Sequence, residues 1–266
     1  MEIQLWKELL EPYKEAVNEL VMKFNHLKDM HNVSNTYSPI ESVEGRVKSI
    51  HSILEKMHRK KIPFDMIEEE IEDIAGVRII CQFTEDIAQV VNLIRHRNDM
   101  TVISEKDYLS APKESGYRSF HMIINYNVFT LNGPKKLQVE LQIRTMAMNF
   151  WATTEHFLQY KYKGDLPENV AQRLQEASDA VMTLDEVMSS VRSDIMDAQF
   201  DSKIETSLVI DIMNEIESLY AITSEREVRK IQDEFYRIYK MHDIEQLVRF
   251  HKELDLHAEG YRAQST

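Results

Sequence analysis

The chain has 266 residues, 43% of them apolar and 29% charged, with a net charge of −13 at neutral pH. That composition can bury a core and fits one large domain or two small ones. One cysteine, Cys81, excludes a disulfide framework and any zinc site built from several thiolates. No secretory leader and no apolar run of about 18 residues is present, so the reading is a soluble cytoplasmic protein. The six glycines (45, 76, 116, 133, 164 and 260) stand too far apart for a Walker A loop or a dinucleotide fingerprint. Any phosphate must be gripped by side chains.

Residues 1–31 form an amphipathic pattern with Leu5, Leu9, Tyr13, Val17, Leu20 and Phe24 on one face. Ser38-Pro39-Ile40-Glu41 has the form of a helix-starting capping box. Gly45 interrupts soon after, leaving the Gly-Arg-Val-Lys stretch as a short strand or a turn. The next predicted helix reaches about Lys61, with Ile50, Ile53, Leu54 and Met57 inward, and Pro63 stops it. Across this stretch and the helix, Arg46, Lys48, Lys56, Arg59, Lys60 and Lys61 fall within 16 residues and make a basic cluster suited to a small anion; Lys60 and Lys61 read as a solvated helix end.

The middle turns to strand. Residues 73–83 are almost continuously apolar, 84–96 are helical, and strands follow near 100–109, 118–129 and 135–145, the last two joined at Asn132-Gly133-Pro134. In the last strand Leu137, Val139, Leu141 and Ile143 alternate with Gln138, Glu140, Gln142 and Arg144, leaving one face for solvent or a ligand. After 146 the pattern is helical. Leu174, Ala177, Val181, Leu184, Met188, Val191 and Ile195 form a heptad seam, and Val228, Ile231, Phe235 and Ile238 recur at helical spacing. The negative charge concentrates here: residues 165–266 carry 11 basic against 22 acidic side chains. Duplex DNA, tRNA and anionic membranes are therefore poor partners.

Three segments place charge where a core would not tolerate it. Arg78 interrupts the first strand, and a structural pair with Asp73 is one reading of it. Lys106, Lys113, Tyr117, Arg118 and His121 flank a polar loop, and Glu140 sits mid-strand. Together they suit a nucleotide site: cations neutralise phosphates, guanidinium groups stack on bases, and two carboxylates on separate strands can share Mg²⁺. In Cys81 we read a buried small hydrophobe. The stretch His251-Lys-Glu-Leu-Asp-Leu-His257 lacks the spacing of a helical zinc-binding histidine pair.

The strings GRVKSIHSILEKMHRK, DIAGVRI, KDYLSAPKESGYRSFH and VELQIRTMAMNFWATTEH closely resemble the alarmone (p)ppGpp synthetases of the RelA/SpoT homologue group, most of all the small single-domain synthetases. The resemblance covers about residues 1–195. It implies an α/β fold with a mixed sheet of about five strands flanked by helices. The synthetase domain would span 1–200, with its nucleotidyltransferase-like core at about 40–164 and a helical extension at 201–266. It implies Mg²⁺-dependent transfer of pyrophosphate from ATP to the 3′-hydroxyl of GDP or GTP, without hydrolase activity; the His242-Asp243 dipeptide reads as chance.

By match to the motifs, Arg46, Lys48, Ser52, Lys56, Arg59 and Arg78 would hold ATP, with Arg46 and Arg78 around adenine. Asp73 would ligate the metal, and Glu140 would ligate it and act as base. Lys106, Lys113, Tyr117, Arg118, His121, Gln142, Asn149, Glu155 and His156 would surround the acceptor, with Tyr117 stacked on guanine. The heptad seam and the resemblance together suggest a homo-oligomer, with a tetramer favoured. Activation by alarmone would be weak or absent, because Val21, Asn25, Ser42 and Glu44 stand where activated members carry lysine, phenylalanine or threonine. Two rival readings are a tRNA pyrophosphokinase toxin and a non-catalytic guanine-nucleotide sensor.

Overall fold

A computed structural model describes residues 2–131, 133–161, 167–241 and 243–264. The chain divides into two compact units, one ending at Ser189 and the other starting at Ser190. The first is built on a five-stranded mixed sheet: β1 (Ser42–Val47), β2 (Ala75–Cys81), β3 (Met100–Asp107), β4 (Phe120–Thr130) and β5 (Gly133–Thr145). Their order is β1-β2-β5-β4-β3; β2 runs parallel to β5 and every other pair is antiparallel. This is the predicted mixed sheet.

Period-two alternation fixes which face is dry. Ala75, Val77, Ile79 and Cys81 of β2 and Leu137, Val139, Leu141 and Ile143 of β5 enter one apolar core. Helices α1 (Glu2–Val33) and α4 (Thr84–Arg95) join it through Tyr13, Ala16, Val17, Leu20, Phe24, Ile87, Val90, Val91 and Ile94. Burial pushes the Cys81 thiol up, aided by the Asp86 charge, so it packs as the expected small hydrophobe. Asp86 tethers the start of α4 by accepting from the Phe83 amide at 3.1 Å.

The structure corrects several expectations. Ser38–Glu41 starts no helix: the chain there runs into β1, and Ser38 Oγ instead accepts from the Ile40 amide. The helix starts later, as α2 (Ile50–Lys60), capped by Ser49 Oγ accepting from the Ser52 amide and closed by Lys61 in the left-handed region. Of its predicted inward residues Ile53 is fully buried and Met57 partly so, while Ile50 and Leu54 are exposed. Leu5 is likewise exposed on α1. Short helices η1 (Phe64–Met66) and α3 (Ile67–Glu70) lead back to β2. Asn132 of the predicted turn lies outside the described residues, as does His242; Gly133 supplies the turn's positive φ of 101°.

Helices α5 (Met146–Lys161), α6 (Glu168–Leu219), α7 (Glu225–Tyr239) and α8 (Ile244–Gln264) complete the chain. The second unit has its own core, in which Ile212, Ile216 and Leu219 of α6 meet Val228 and Phe235 of α7 and Leu247, Phe250 and Leu254 of α8. Among the described residues the heptad seam has no such cover. Val181 packs on the core of the first unit, but Leu184, Met188, Val191 and Ile195 are 43–52% exposed.

Candidate active site

The sheet's second face carries the chemistry. Strand register aligns Arg46, Gly76, Glu140, Ile123 and Ser104 in one row and Glu44, Arg78, Gln142, His121 and Lys106 in the next. Residues more than ninety positions apart in the chain thus share one surface. Gly76 leaves room in the first row: a Cβ there would sit 3.8 Å from the Arg46 side chain.

Asp73 stands just before β2, where Lys48 from the end of β1 and Lys56 from α2 converge on it. Each ammonium donates to one carboxylate oxygen at 2.6 Å. Burial pushes the Asp73 carboxyl up, but the two lysines outweigh it and hold the group below the usual carboxylate range. The structural pair between Asp73 and Arg78, one reading of the sequence, is not formed. Arg78 turns to Glu44, its cross-strand neighbour on β1, at 3.3 Å.

Glu140 is held by two donors, with Gln142 Nε2 at 2.8 Å on one oxygen and His121 Nδ1 at 3.0 Å from the other. Burial raises this carboxyl and the nearby Asp73 charge adds to that, yet His121 and Gln142 leave it below its ordinary value. Both carboxylates are thus ionised at neutral pH. They line one cleft of about 190 Å³ together with Lys56, Lys60, Lys106, Lys113 and His121. Lys60 therefore edges the site, where the sequence suggested a solvated helix end.

On the acceptor side the rings interlock. Tyr117 Oη lies 2.8 Å from His121 Nε2, so a continuous chain runs from Tyr117 through His121 to Glu140. Tyr108, Tyr117 and His121 pack edge to face, and Lys113 Nζ stands 4.7 and 4.8 Å from the two tyrosine ring centres. Burial raises the Tyr117 phenol. Gly116, at a φ of 88°, makes the turn that brings Tyr117 under the sheet.

A second cleft, of about 200 Å³, is lined by Arg46, Arg78, Tyr117, Gln142, Arg144, Glu155 and His156. Its floor is electron-poor. Arg144 is 2% exposed, and burial lowers its guanidinium to about 10, with Arg78 and Arg46 adding repulsion. The Nε atoms of Arg78 and Arg144 are buried without a hydrogen-bond partner among the described residues. Two orphaned guanidinium donors beside an aromatic ring describe a receptor for an anionic, planar ligand. Glu155 faces them from α5 with its carboxyl raised by burial, an effect that His156 and Lys113 partly offset.

Five predicted residues line neither cleft, although one of them, Lys48, reaches the first through its bond to Asp73. Ser52 and Arg59 are on α2, with Arg59 exposed. Arg118 turns away, donating to Asp179 at 3.1 Å and to the Leu109 carbonyl at 3.3 Å. Asn149 lines neither cleft, although its Oδ1 is buried without a partner among the described residues. Reading the sequence missed Glu72, Ser104 and Tyr108 in the first cleft and Thr153 in the second. For Ser104 the signal was strand phase: it precedes Lys106 at spacing two, on the same face of β3, and Tyr108 follows at the same spacing just past the strand.

Comparison with known proteins follows the same lines. Residues 45–165 match the region found in RelA/SpoT proteins. A GTP pyrophosphokinase of Bacillus subtilis, YjbM, is 49% identical over 199 residues, which is 75% of this chain and 94% of that protein. The chain belongs to the RelA/SpoT family. A second B. subtilis GTP pyrophosphokinase, YwaC, is 41% identical over 71% of this chain and 91% of its own. Among solved structures, the B. subtilis small alarmone synthetase 1 bound to its product pppGpp superposes with a TM-score of 0.70 at 49% identity, covering 72% of this chain and 98% of that one. A GTP pyrophosphokinase family protein from Streptococcus pneumoniae gives 0.69 at 47% identity, covering 73% and 96%.

Proposed function

We propose that the chain is a (p)ppGpp synthetase that transfers the pyrophosphoryl group of ATP to the 3′-hydroxyl of GDP or GTP. The observation that carries this reading is the meeting of two ionised carboxylates, Asp73 and Glu140, in one lysine-lined cleft beside a cleft floored by three arginines. The 3′ oxygen attacks the β-phosphorus, the bond from that phosphorus to the oxygen bridging it to the α-phosphate breaks, and AMP leaves with that oxygen. Glu140 takes the hydroxyl proton, and His121 keeps its carboxylate aimed. Arg46 and Arg78 clasp adenine; Lys48, Ser52, Lys56 and Arg59 hold the ATP phosphates and ribose as they are displaced. Tyr117 stacks on guanine, with Lys106, Lys113, His121, Gln142, Glu155 and His156 around the acceptor. Charge neutralisation and alignment supply most of the rate in such a transfer.

Mg²⁺ fits this donor set. Asp73 and Glu140 are hard oxygen ligands on one cleft, each with lone pairs beyond those already engaged, and their mutual repulsion is relieved by a cation. Asp73 and Glu140 would hold it, and it would neutralise charge on the transferring phosphates.

Residues 1–200 form the synthetase domain and 201–266 an extension without hydrolase function. ATP as substrate and a single buried thiol support a cytoplasmic setting. The exposed seam of Leu184, Met188, Val191 and Ile195 supports a homo-oligomer, taken here as a tetramer. Alarmone activates this chain weakly or not at all, a reading supported by Glu44, which adds negative charge beside Arg78.

The test is incubation of the purified protein with Mg²⁺ and labelled ATP in the presence of GMP, GDP, GTP or tRNA. Label moving to GDP or GTP, with AMP released, is expected. Label moving to tRNA alone, or no transfer while nucleotides still bind, overturns the reading in favour of a toxin or a sensor.

A further inference from the structure

The second unit contains a cluster that synthesis does not use. Glu215 on α6 and His251 and Asp255 on α8 bring one ligand atom each within 4.8 Å of one another. Among the described residues they are the only group of three or more His, Cys, Asp or Glu placed in this way.

The sequence dictates half of the arrangement. His251 and Asp255 are four residues apart, so an α-helix stacks them on one face. A second histidine at that spacing is absent, but a carboxylate serves as a ligand equally well. Core positions set the other half: Ile212 and Ile216 of α6 and Leu247, Phe250 and Leu254 of α8 share one apolar core. Glu215 neighbours the first set and His251 and Asp255 the second. Packing those faces brings the three polar side chains together along its edge.

Distance and donor chemistry favour an ion over a simple pair, although Asp255 is exposed. His251 Nε2 and Glu215 Oε2 are 3.6 Å apart, long for a hydrogen bond. Nitrogen and oxygen ligands at about 2.0–2.2 Å from a tetrahedral Zn²⁺ lie roughly 3.4 Å from each other, close to this separation. Side-chain exposure is 12% for Glu215 and 25% for His251. Two carboxylates and an imidazole make a mixed oxygen and nitrogen donor set of the kind a divalent transition metal takes.

We propose that Glu215, His251 and Asp255 bind one divalent transition-metal ion of the zinc class, with water in the remaining position. The ion ties α8 to α6 inside the second unit. The metal proposed for catalysis takes carboxylate oxygens alone; this site carries an imidazole and so selects a softer ion. Ligands on two helices mean that binding free energy adds to the stability of the helical unit.

Zinc alone is the probe. The full chain, stripped with chelator, is titrated calorimetrically with ZnCl₂, beside His251→Ala and Asp255→Asn, both of which alter side chains outside the apolar core. Glu140→Gln serves as the control for the nucleotide cleft. The wild type and Glu140→Gln are expected to share one site that either second-unit variant loses or binds at least about tenfold more weakly. Zinc should also slow amide exchange in α6 and α8 of the wild type, and not of His251→Ala. Equal zinc stoichiometry and affinity in the wild type and in a folded His251→Ala or Asp255→Asn overturns the proposal, as does zinc binding with no change in exchange there.

Discussion

Glu140→Gln isolates the proposed base from its surroundings. The substitution keeps the shape of a side chain that is only 16% exposed and removes its charge and its capacity to take a proton. Gln142 now donates to one Glu140 oxygen and His121 contacts the other. A glutamine still offers its amide oxygen to one of them, and Gln142 can turn its own amide to accept from the new NH₂ group. The folding cost is therefore that of exchanging a charge-assisted bond for a neutral one, about 1 kcal/mol. Turnover should fall far more. A positioned base contributes about 10²–10⁴ in rate, equivalent to roughly 2.7–5.5 kcal/mol of barrier. Glu140→Asp keeps a proton acceptor but withdraws it by about 1.5 Å, stretching the His121 contact, and should fall between the two. The assay is transfer of label from ATP to GDP under saturating substrate, beside equilibrium binding of ATP. A Glu140→Gln enzyme that retains more than about a tenth of wild-type kcat, with ATP binding intact, refutes the assignment of Glu140 as base.

Other expectations follow from the same geometry. Asp73 has its carboxyl depressed, so its contribution is full above the ordinary value of 3.8 and is lost as pH falls through the lower, folded value. The stability gap between the wild type and Asp73→Asn, about 1–3 kcal/mol by urea denaturation, should stay level from pH 8 to 5 and shrink only in stronger acid; shrinkage between pH 7 and 5 would contradict this. A Cβ at Gly45 would lie 2.3 Å from Val17 Cγ1 and 2.7 Å from Val21 Cγ2, so Gly45→Ala should destabilise by about 1–3 kcal/mol as α1 is pushed from β1. Unchanged urea midpoints would show that the helix yields freely. Tyr117→Phe keeps the ring and should leave the acceptor KM within about threefold, whereas Tyr117→Ala should raise it about tenfold or more; equal effects in steady-state kinetics would remove the stacking role. Glutamate at both Met188 and Val191, which are 46% and 43% exposed, should lower the mass seen by light scattering without unfolding the chain, and an unchanged mass would place the subunit contact elsewhere.

Much of the fold was legible because its signals are local. Alternation along β5 showed which side chains enter the core, and the helical spacing of Val228 and Phe235 marked a face that is indeed buried. The candidate residues were legible as charges interrupting apolar strands, and the family as four ordered strings. Errors fell where a local signal had to choose among partners. Ser38–Glu41 satisfies the capping-box pattern, but the chain that follows pairs with β2, and the ladder's hydrogen bonds replace the helix's. Ile50 and Leu54 keep helical spacing although the core reaches only the stripe through Ile53.

The sequence by itself determined the inventory: four of the five strands, which segments carry cations, which charged side chains stand in or beside apolar strands, and that no glycine loop could cradle phosphate. Only the tertiary structure decided who meets whom. Asp73 finds Lys48 and Lys56 in place of Arg78, Lys60 reaches the cleft edge, and Tyr117 reaches Glu140 through His121. The reason is register. Parallel pairing of β2 with β5 sets Gly76 beside Glu140 and Arg78 beside Gln142, and that alignment comes from packing both apolar faces on α1 and α4 at once. Periodicity tells a strand which face is dry; it carries no information about which distant strand will lie alongside, or at what offset.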